Sequence, residues 1–290
     1  MIKEALGLPE AEVEIISELG GMTNVNYLVS INSERYIVRV PGNGTEDFIN
    51  RREERRNLDL ATTLLINPEH IFFDVDSGLK ITRNIKNAKL LTPEIAKKEE
   101  TLKMVSDVFR KLHCSTIQMT NRFELFNLMD NYERLAIGAK AQLYNGYQYV
   151  KADILSLKLH YDSLAVEQCP SHIDPSFTNF IICGKGKLYL IDWEYSGMFD
   201  PLWDLAAYSM ESGFSRSEEE LFHTYYFKRE LTIAESERIV MHKIFQDYLW
   251  CLWTAFKEAK GDDFGGYGKN RFERAKKNIE LFKETFTGRY

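Results

Sequence analysis

The chain has 290 residues, 44% of them hydrophobic and 13% aromatic, which is enough to bury a large core in one big domain or two unequal ones. Its 43 acidic and 37 basic residues give a formal net charge of -6, and this balance excludes a generally basic nucleic-acid binder. Four scattered cysteines without a C-x-x-C motif exclude a disulfide scaffold or a zinc site, and the lack of an apolar run near the roughly 20 residues of a membrane span predicts a cytoplasmic protein.

The first eighty residues are predicted to form a small antiparallel sheet with one helix. Residues with β-branched or aromatic side chains concentrate in five short runs, at positions 13–19, 27–31, 36–40, 71–73 and 79–82. Thr45, which follows P-G-N-G at 41–44, is predicted to cap a helix that carries the charged run 51–56 on a solvated face.

The remainder of the chain has mainly helical patterns. The segment T-P-E at 92–94 is a strong helix start, and apolar residues continue at helical spacing as far as Leu112. One β-hairpin is predicted in this region, with strands at 180–183 and 188–191 on either side of G-K-G. The change of pattern predicts two parts, residues 1–85 and residues 86–290.

The most informative segment is H-I-D-P-S-F-T-N at 172–179, followed after the hairpin by I-D-W-E at 191–194. Phosphoryl transfer needs a carboxylate for the attacking hydroxyl and oxygen ligands for magnesium on the nucleotide phosphates. Asp174, Asn179 and Asp192 supply such groups, and the interval of five between Asp174 and Asn179 matches the kinase catalytic loop. If these three residues had no catalytic function, Asp174 would be a turn residue, Asn179 a strand cap and Asp192 a loop carboxylate. His172 is a candidate catalytic residue, although a histidine beside such a loop is more often a hydrogen-bonded structural residue.

A turn in the N-terminal part has residues that suit a nucleotide phosphate. The segment L-G-G-M-T-N at 19–24 lies between two predicted strands. Gly20 and Gly21 would let the backbone approach phosphate oxygens, and Thr23 and Asn24 offer short polar side chains. An ordinary glycine hairpin turn would use the same residues.

A predicted strand and the helix after it supply one candidate ion pair. Arg39 lies among apolar neighbours in the third strand run, and Glu54 lies on the helix that follows. An Arg39–Glu54 pair would hold a cation over the nucleotide phosphates. The neighbouring charges at 51–56 offer equivalent surface pairs, so this alternative stays open.

These segments resemble the LicA-type bacterial choline kinases, in the choline/ethanolamine kinase and aminoglycoside phosphotransferase group of protein-kinase-like enzymes. The resemblance spans nearly the whole chain. The matching residues are L-G-G-M-T-N-V-N-Y-L at 19–28, Y-I-V-R-V-P-G at 36–42, F-I-N-R-R-E-E at 48–54, S-H-I-D-P-S-F-T-N-F at 171–180, Y-L-I-D-W-E-Y-S-G-M-F-D-P-L-W-D-L-A at 189–206 and Q-D-Y-L-W-C-L-W at 246–253.

The resemblance implies an α+β, bilobal protein-kinase-like fold. Residues 1–85 would be a small antiparallel-sheet N-lobe that binds the nucleotide, and residues 86–290 a larger, mainly helical C-lobe for catalysis and substrate binding. ATP and Mg2+ would bind in the cleft, with Asp174 as catalytic base and with Asn179 and Asp192 as magnesium ligands. Two departures leave this catalytic set intact: Arg39 stands where many kinases have lysine, and P-S-F-T at 175–178 differs from the V-P-E-type insert common in LicA proteins.

The acceptor substrate is suggested by aromatic residues near the C-terminus. Choline is a quaternary ammonium without an N–H donor, so proteins select it with aromatic faces and nearby carboxylates. Trp250 and Trp253 lie three residues apart on a predicted helix; without the resemblance they would be assigned to the helical core. The resemblance implies a choline-binding cage made of Trp250, Trp253, Tyr267, Glu194, Tyr195 and Glu211. Asp200 and Asp204 are predicted to brace the catalytic loop rather than to touch substrate.

Three alternatives to choline phosphorylation remain at this point. Ethanolamine or another small amino alcohol would suit a similar site. Aminoglycoside phosphotransferases share the H-x-D and I-D-W segments, but a polycationic drug needs an acidic site, and residues 241–290 hold ten Lys or Arg against seven Asp or Glu. A non-catalytic nucleotide-binding regulator would be marked by the loss of Asp174 or Asp192, and both are present.

Overall fold

The structure is a computed structural model that describes residues 2–20, 24–42, 45, 49–184 and 186–286. A short helix, α1 (Ile2–Ala5), precedes one antiparallel sheet. Its strands are β1 (Val13–Gly20), β2 (Asn24–Ile31), β3 (Glu34–Pro41), β4 (His70–Phe73) and β5 (Lys80–Arg83). They are hydrogen-bonded in the order β1-β2-β3-β5-β4, which confirms the predicted N-terminal sheet.

The register of this sheet brings two basic residues together. Arg39 in β3 is directly opposite Lys80 in β5. Opposed residues of antiparallel strands point to the same face, so the two cations lie on one face of the sheet. Strands β2 and β3 are joined by Asn32 and Ser33, whose φ angles of 49° and 67° are typical of a type I′ hairpin turn.

Helix α2 (Arg51–Thr63) begins later than the sequence predicts. Thr45 is not its cap: the Asn50 side chain accepts hydrogen bonds from the backbone N–H groups of Arg52 and Glu53, and so satisfies donors that a helix start leaves free. The competing cap lies five residues further on and directly precedes the charged run. This start places Glu54 in the first turn of α2, where its side chain is buried.

The remainder of the chain is mainly helical, as predicted. Its helices are α3 (Pro93–Ala96), α4 (Glu99–His113), α5 (Leu125–Gly138), α6 (Tyr147–Ser163), α7 (Leu202–Glu211), α8 (Arg216–Phe227), α9 (Ile233–Ala259) and α10 (Tyr267–Phe286). The helix predicted from residue 92 onward is broken into α3 and α4, because Lys98 adopts extended φ and ψ angles of -66° and 138°. Among the described residues, no helix is long and apolar enough to cross a membrane.

Short strands interrupt the helices, and the sequence predicted only part of them. The predicted hairpin is confirmed as β8 (Phe180–Cys183) and β9 (Lys187–Leu190), joined to β6 (Lys89–Leu90). Strands β7 (Cys169–Ser171) and β10 (Gly197–Phe199) were not predicted. They lie on either side of the segment that contains Asp174, Asn179 and Asp192, here named the catalytic segment for its predicted role. Segments of two or three residues are too short to show the alternation on which strand prediction depends.

Helix α9 is the centre of the larger core. One cluster of buried residues joins it to α5, α6 and α10, and a second joins α4, α7 and α8 to the hairpin. Close packing of α10 on α9 depends on Gly268, because an added Cβ would lie 2.2 Å from the Tyr144 hydroxyl and 2.8 Å from Thr254. The boundary at residues 85–86 stays a prediction; the N-terminal sheet ends at Arg83, and β6 already pairs with the hairpin.

Candidate active site

The catalytic segment directly follows β7 and is held in a strained conformation. Ile173 has a φ angle of 77°, which is rare for a β-branched residue. The Asp204 carboxylate accepts the backbone N–H groups of His172 at 2.7 Å and Ile173 at 2.8 Å, and the Trp203 indole donates to the Ile173 carbonyl at 2.7 Å. These bonds fix the backbone just before Asp174 and confirm that Asp204 braces the loop. Asp200 instead accepts from the Leu202 backbone at 3.0 Å.

The position of His172 corrects its candidacy as a catalytic residue. Its side chain is 0% exposed, its Nε2 is 2.9 Å from the Ile191 carbonyl, and its ring packs edge-on against Trp193. Burial lowers the pKa of the imidazole, which keeps it neutral near pH 7. A group that moves a proton on the substrate must reach it, so the structural alternative for His172 agrees with the geometry.

The hairpin brings Asn179 and Asp192 to the catalytic segment. Asn179 donates through Nδ2 to the Asp174 carbonyl at 2.8 Å, which leaves its Oδ1 as the atom able to bind a metal. Asp192 has a left-handed φ of 71°, and its buried Oδ1 has no hydrogen-bond partner among the described residues. An unsatisfied buried carboxylate oxygen is a suitable ligand for a hard cation such as Mg2+.

No group of three His, Cys, Asp or Glu side chains suited to a metal occurs within the described ranges. A magnesium ion held by Asp192, the Asn179 amide oxygen and nucleotide phosphate oxygens does not require one. The donor set is therefore compatible with Mg2+ that arrives with a nucleotide.

Asp174 is half-buried near other carboxylates, which changes its proton affinity. Its pKa is raised well above the usual value, first because burial disfavours the charged form and then because of the negative charges of Asp192, Glu211 and Glu194. The Arg271 guanidinium acts in the opposite direction. The charges of the hairpin segment and those of the distant helices α7 and α10 therefore both act on Asp174.

The predicted Arg39–Glu54 ion pair is present in the structure. Arg39 donates from Nη1 and Nη2 to the two Glu54 oxygens, the latter at 3.1 Å, and both side chains are buried. Burial by itself would raise the Glu54 pKa, but Arg39 and Lys80 outweigh it and lower the pKa to about 2. Lys80, whose Nζ lies 3.7 Å from Glu54, was missed by the sequence reasoning; its alignment with Arg39 depends on strand pairing, which no local motif shows.

The glycine turn is described only in part. Gly20 ends β1 with a φ of 77°, a conformation that favours glycine. Gly21 and Thr23 lie outside the described residues. The Asn24 side chain is buried and bonded, donating to Glu194 at 2.9 Å and accepting from Arg51 at 3.2 Å.

Glu194, which is predicted to belong to the choline cage, has its hydrogen-bond partners in the N-terminal part of the chain. Its Oε2 accepts from Asn24 and, at 3.0 Å, from Arg51 of α2, so the carboxylate is held by the N-terminal part of the chain. Burial, followed by the charges of Asp192 and Glu54, raises its pKa to about 7. Arg51 bonds Glu54 as well, at 2.7 Å, and thereby links the helix to the catalytic segment. The charged run that was predicted to be solvated thus contributes two buried contacts to the site.

Three of the predicted cage aromatics meet in the larger core. The Tyr195 and Trp250 ring centroids are 5.5 Å apart, and those of Trp250 and Trp253 are 6.4 Å apart, both in edge-to-face geometry. Trp253 is only 4% exposed and also packs on Phe264, whereas Trp250 is half-buried. The Trp253 Nε1–H is buried and has no partner within the described part of the chain.

Glu211 and Tyr267 meet through Arg271, which the sequence reasoning missed. Arg271 Nη2 donates to Glu211 and, at 2.6 Å, to the Tyr267 hydroxyl, while Nη1 donates to Asp247 at 3.1 Å. Burial raises the pKa of Tyr267 to about 12, so its hydroxyl is protonated at neutral pH. The sequence signal was faint: Tyr267 and Arg271 are four residues apart, on one face of a helix.

Several known proteins are similar to this chain in sequence and in fold. A family model described as Choline/ethanolamine kinase matches residues 13–239. Protein LicA of Haemophilus influenzae is 32% identical over 278 residues, covering 91% of this chain and 79% of LicA. Among solved structures, choline kinase LicA from Streptococcus pneumoniae has a TM-score of 0.84 and 38% identity, covering 97% of this chain and 98% of that one. LicA in complex with AMP has the same TM-score at 37% identity, covering 97% of each chain.

A more distant likeness concerns the fold alone. An ADP-bound aminoglycoside phosphotransferase has a TM-score of 0.64 at 17% identity, covering 97% of this chain and 98% of that one. The bilobal, protein-kinase-like architecture predicted from the sequence is therefore confirmed. The chain belongs to the choline/ethanolamine kinase family, and it is a small-molecule kinase.

Proposed function

We propose that this kinase transfers the γ-phosphoryl group of ATP to the hydroxyl of choline, giving phosphocholine and ADP, in a reaction that needs Mg2+. The observation that carries the proposal is that two unlike groups of charged side chains both act on Asp174. Asp192 and Glu194 form one group: Asp192 contacts Arg39, and the charge of Glu194 acts on Arg39. Glu211, Arg271 and Tyr267 form the other group.

The residues around Asp174 have complementary tasks in this reaction. Asp174 accepts a hydrogen bond from the choline hydroxyl and takes up its proton, and its raised pKa makes it a better proton acceptor than an ordinary aspartate. Arg39, oriented by Glu54, directs its guanidinium towards the phosphates. Asp192 and Asn179 would hold Mg2+, which when bound neutralises charge on the phosphate oxygens.

Choline is favoured as the acceptor because the site offers aromatic faces beside carboxylates. Trp250 is half-buried and stacks edge-on with Tyr195, so part of its ring surface remains available to a methylated ammonium. The similarity to two LicA proteins, one of them a choline kinase by its description, supports this choice. Ethanolamine is the second candidate, since the family model that matches this chain is described as Choline/ethanolamine kinase.

A coupled ADP-release assay with choline, ethanolamine, thiamine and kanamycin, each with ATP and MgCl2, tests the proposal. We expect the highest kcat/KM with choline and no turnover after chelation of the metal. Turnover of kanamycin above that of choline would support an aminoglycoside phosphotransferase instead. Nucleotide binding, measured separately by calorimetry, without ADP release in the presence of any acceptor would support the non-catalytic regulator.

We further propose that the reaction takes place in the cytoplasm and that residues 1–85 form the nucleotide-binding lobe. All four cysteines are free, as expected in a reducing compartment. The N-terminal sheet and α2 supply Arg39, Lys80 and Glu54, and residues from 86 onward supply Asp174 and the proposed acceptor site.

A further inference from the structure

A neutral cluster of four charged side chains adjoins the proposed acceptor site. Glu211 lies at the end of α7, Asp247 in α9, and Arg271 and Arg274 in α10. Arg271 contacts both carboxylates and is 4% exposed, while Asp247 is fully buried. Two positive and two negative charges cancel, so the cluster as a whole adds little attraction for a cationic substrate.

Arg271 occupies hydrogen-bonding capacity that an acceptor substrate would otherwise use. Its Nη2 donates to Oε1 of Glu211 and to the Tyr267 hydroxyl oxygen at 2.6 Å. The guanidinium also lies 4.8 Å from the Tyr267 ring centroid. The side chain of Glu211 is 24% exposed, and its Oε1 is already paired with Arg271.

We infer that Arg271 sets the preference of the acceptor site for a quaternary over a primary ammonium. This inference rests on the proposed function. A primary ammonium carries three N–H donors that need acceptors when it leaves water, and leaving them unpaired is costly. With Glu211 committed to Arg271, the site meets this need poorly. A trimethylammonium group has no such need and binds through the Trp250 and Tyr195 faces.

The geometry allows this effect to be separated from the support of Asp247. Arg274 donates to both oxygens of Asp247, at 2.7 Å from Nε and 2.6 Å from Nη2. Loss of the Arg271 side chain therefore leaves Asp247 paired and frees Glu211. Loss of Arg274 leaves the Arg271–Glu211 contact intact, which makes it the matched control.

The test compares kcat/KM for choline and ethanolamine in Arg271→Met, Arg274→Met, Glu211→Gln and the Arg271→Met/Glu211→Gln double variant, with thermal unfolding of each. Gain or loss of a hydrogen bond to a charged group changes kcat/KM by about tenfold or more. We expect Arg271→Met to raise the ethanolamine-to-choline ratio by about that factor, mainly through the ethanolamine KM. The double variant should lose this gain, and Arg274→Met should leave the ratio unchanged.

Glu211→Gln keeps the inference testable even if Arg271→Met does not fold. The charge of Glu211 is already offset by Arg271, so we expect Glu211→Gln to affect both acceptors alike. A selective loss of ethanolamine turnover in Glu211→Gln would contradict the inference, as would an unchanged ratio in a folded Arg271→Met protein. A wild-type protein that phosphorylates neither acceptor would instead overturn the proposed function, and the inference with it.

Discussion

The two sides of Asp174 use ion pairs in different proportions. On the nucleotide side, the single carboxylate of Glu54 has three cations within 4 Å, namely Arg39, Arg51 and Lys80. On the acceptor side, two arginines serve two carboxylates. Cations gathered around one carboxylate suit the polyanionic phosphates of a nucleotide, whereas paired charges beside aromatic rings suit a small monocation. Variants on each side should therefore alter different kinetic constants.

The largest effect is expected where the two sides meet. Asp174→Ala removes the proposed base, and we expect kcat to fall by a factor on the order of a hundred or more. Nucleotide binding, measured by calorimetry, should stay nearly unchanged, because the ion pairs of the N-terminal sheet do not involve Asp174. Near-normal turnover of the folded variant would remove Asp174 from the mechanism.

Elements and residues that are close in sequence were predictable. Asp174, Asn179 and Asp192 lie within one segment and its hairpin, so their spacing alone places them together, and the hairpin is confirmed. The Arg39–Glu54 pair could be predicted because it joins a strand to the helix that follows it in the chain. The error at Thr45 arose because two capping residues compete, and the cap that precedes the charged run prevails.

Contacts between distant elements were not predictable from one sequence. Arg271 meets Glu211 across 60 positions and Asp247 across 24, and the packing of α7 and α10 against α9 creates these contacts. Glu194 is placed in the cage by the family resemblance. In the structure the partners of its carboxylate come from β2 and α2.

Asp192→Asn sharpens the comparison on the nucleotide side. The substitution weakens the proposed metal site but keeps side-chain size, so we expect the Mg2+ concentration for half-maximal rate to rise by roughly ten- to a hundredfold. The choline KM at saturating Mg2+ should change little. Wild-type turnover at low magnesium in this variant would exclude Asp192 as a metal ligand.

The tryptophan pair offers the corresponding change on the acceptor side. Loss of a cation–π contact of about 2 kcal/mol predicts that Trp250→Ala raises the choline KM by about thirtyfold with little change in the ATP KM. The ethanolamine KM should rise less. Trp253 is more deeply buried, so Trp253→Ala should also reduce stability by about 3–5 kcal/mol. Equal kinetic losses for both acceptors together with a large fall in Tm for Trp250→Ala would indicate a core role.

Lys80 tests whether the gathering of three cations around Glu54 is functional. Because Lys80 is opposite Arg39 in the sheet, we expect Lys80→Met to raise the ATP KM by about tenfold while kcat and the choline KM change little. The exposed Lys86→Met is the control, since it removes the same charge from the same region of sequence. A lower Tm with an unchanged ATP KM would mean that Lys80 only supports Glu54.

The smallest expected effect is a change in the pH dependence of kcat, caused by the charge of Glu211 acting on the pKa of Asp174. The charge of Glu211 is among the causes that raise the Asp174 pKa, after burial and Asp192. Since the base must be unprotonated to act, kcat should fall as pH drops through that pKa. Glu211→Gln removes a negative neighbour and leaves Arg271 positive, so the acid limb of kcat at saturating choline, ATP and Mg2+ should move to lower pH. Glu220→Gln, an exposed carboxylate paired with Arg216, should leave the limb in place. A limb that moves to higher pH in Glu211→Gln would show that Glu211 does not act on Asp174 through its charge.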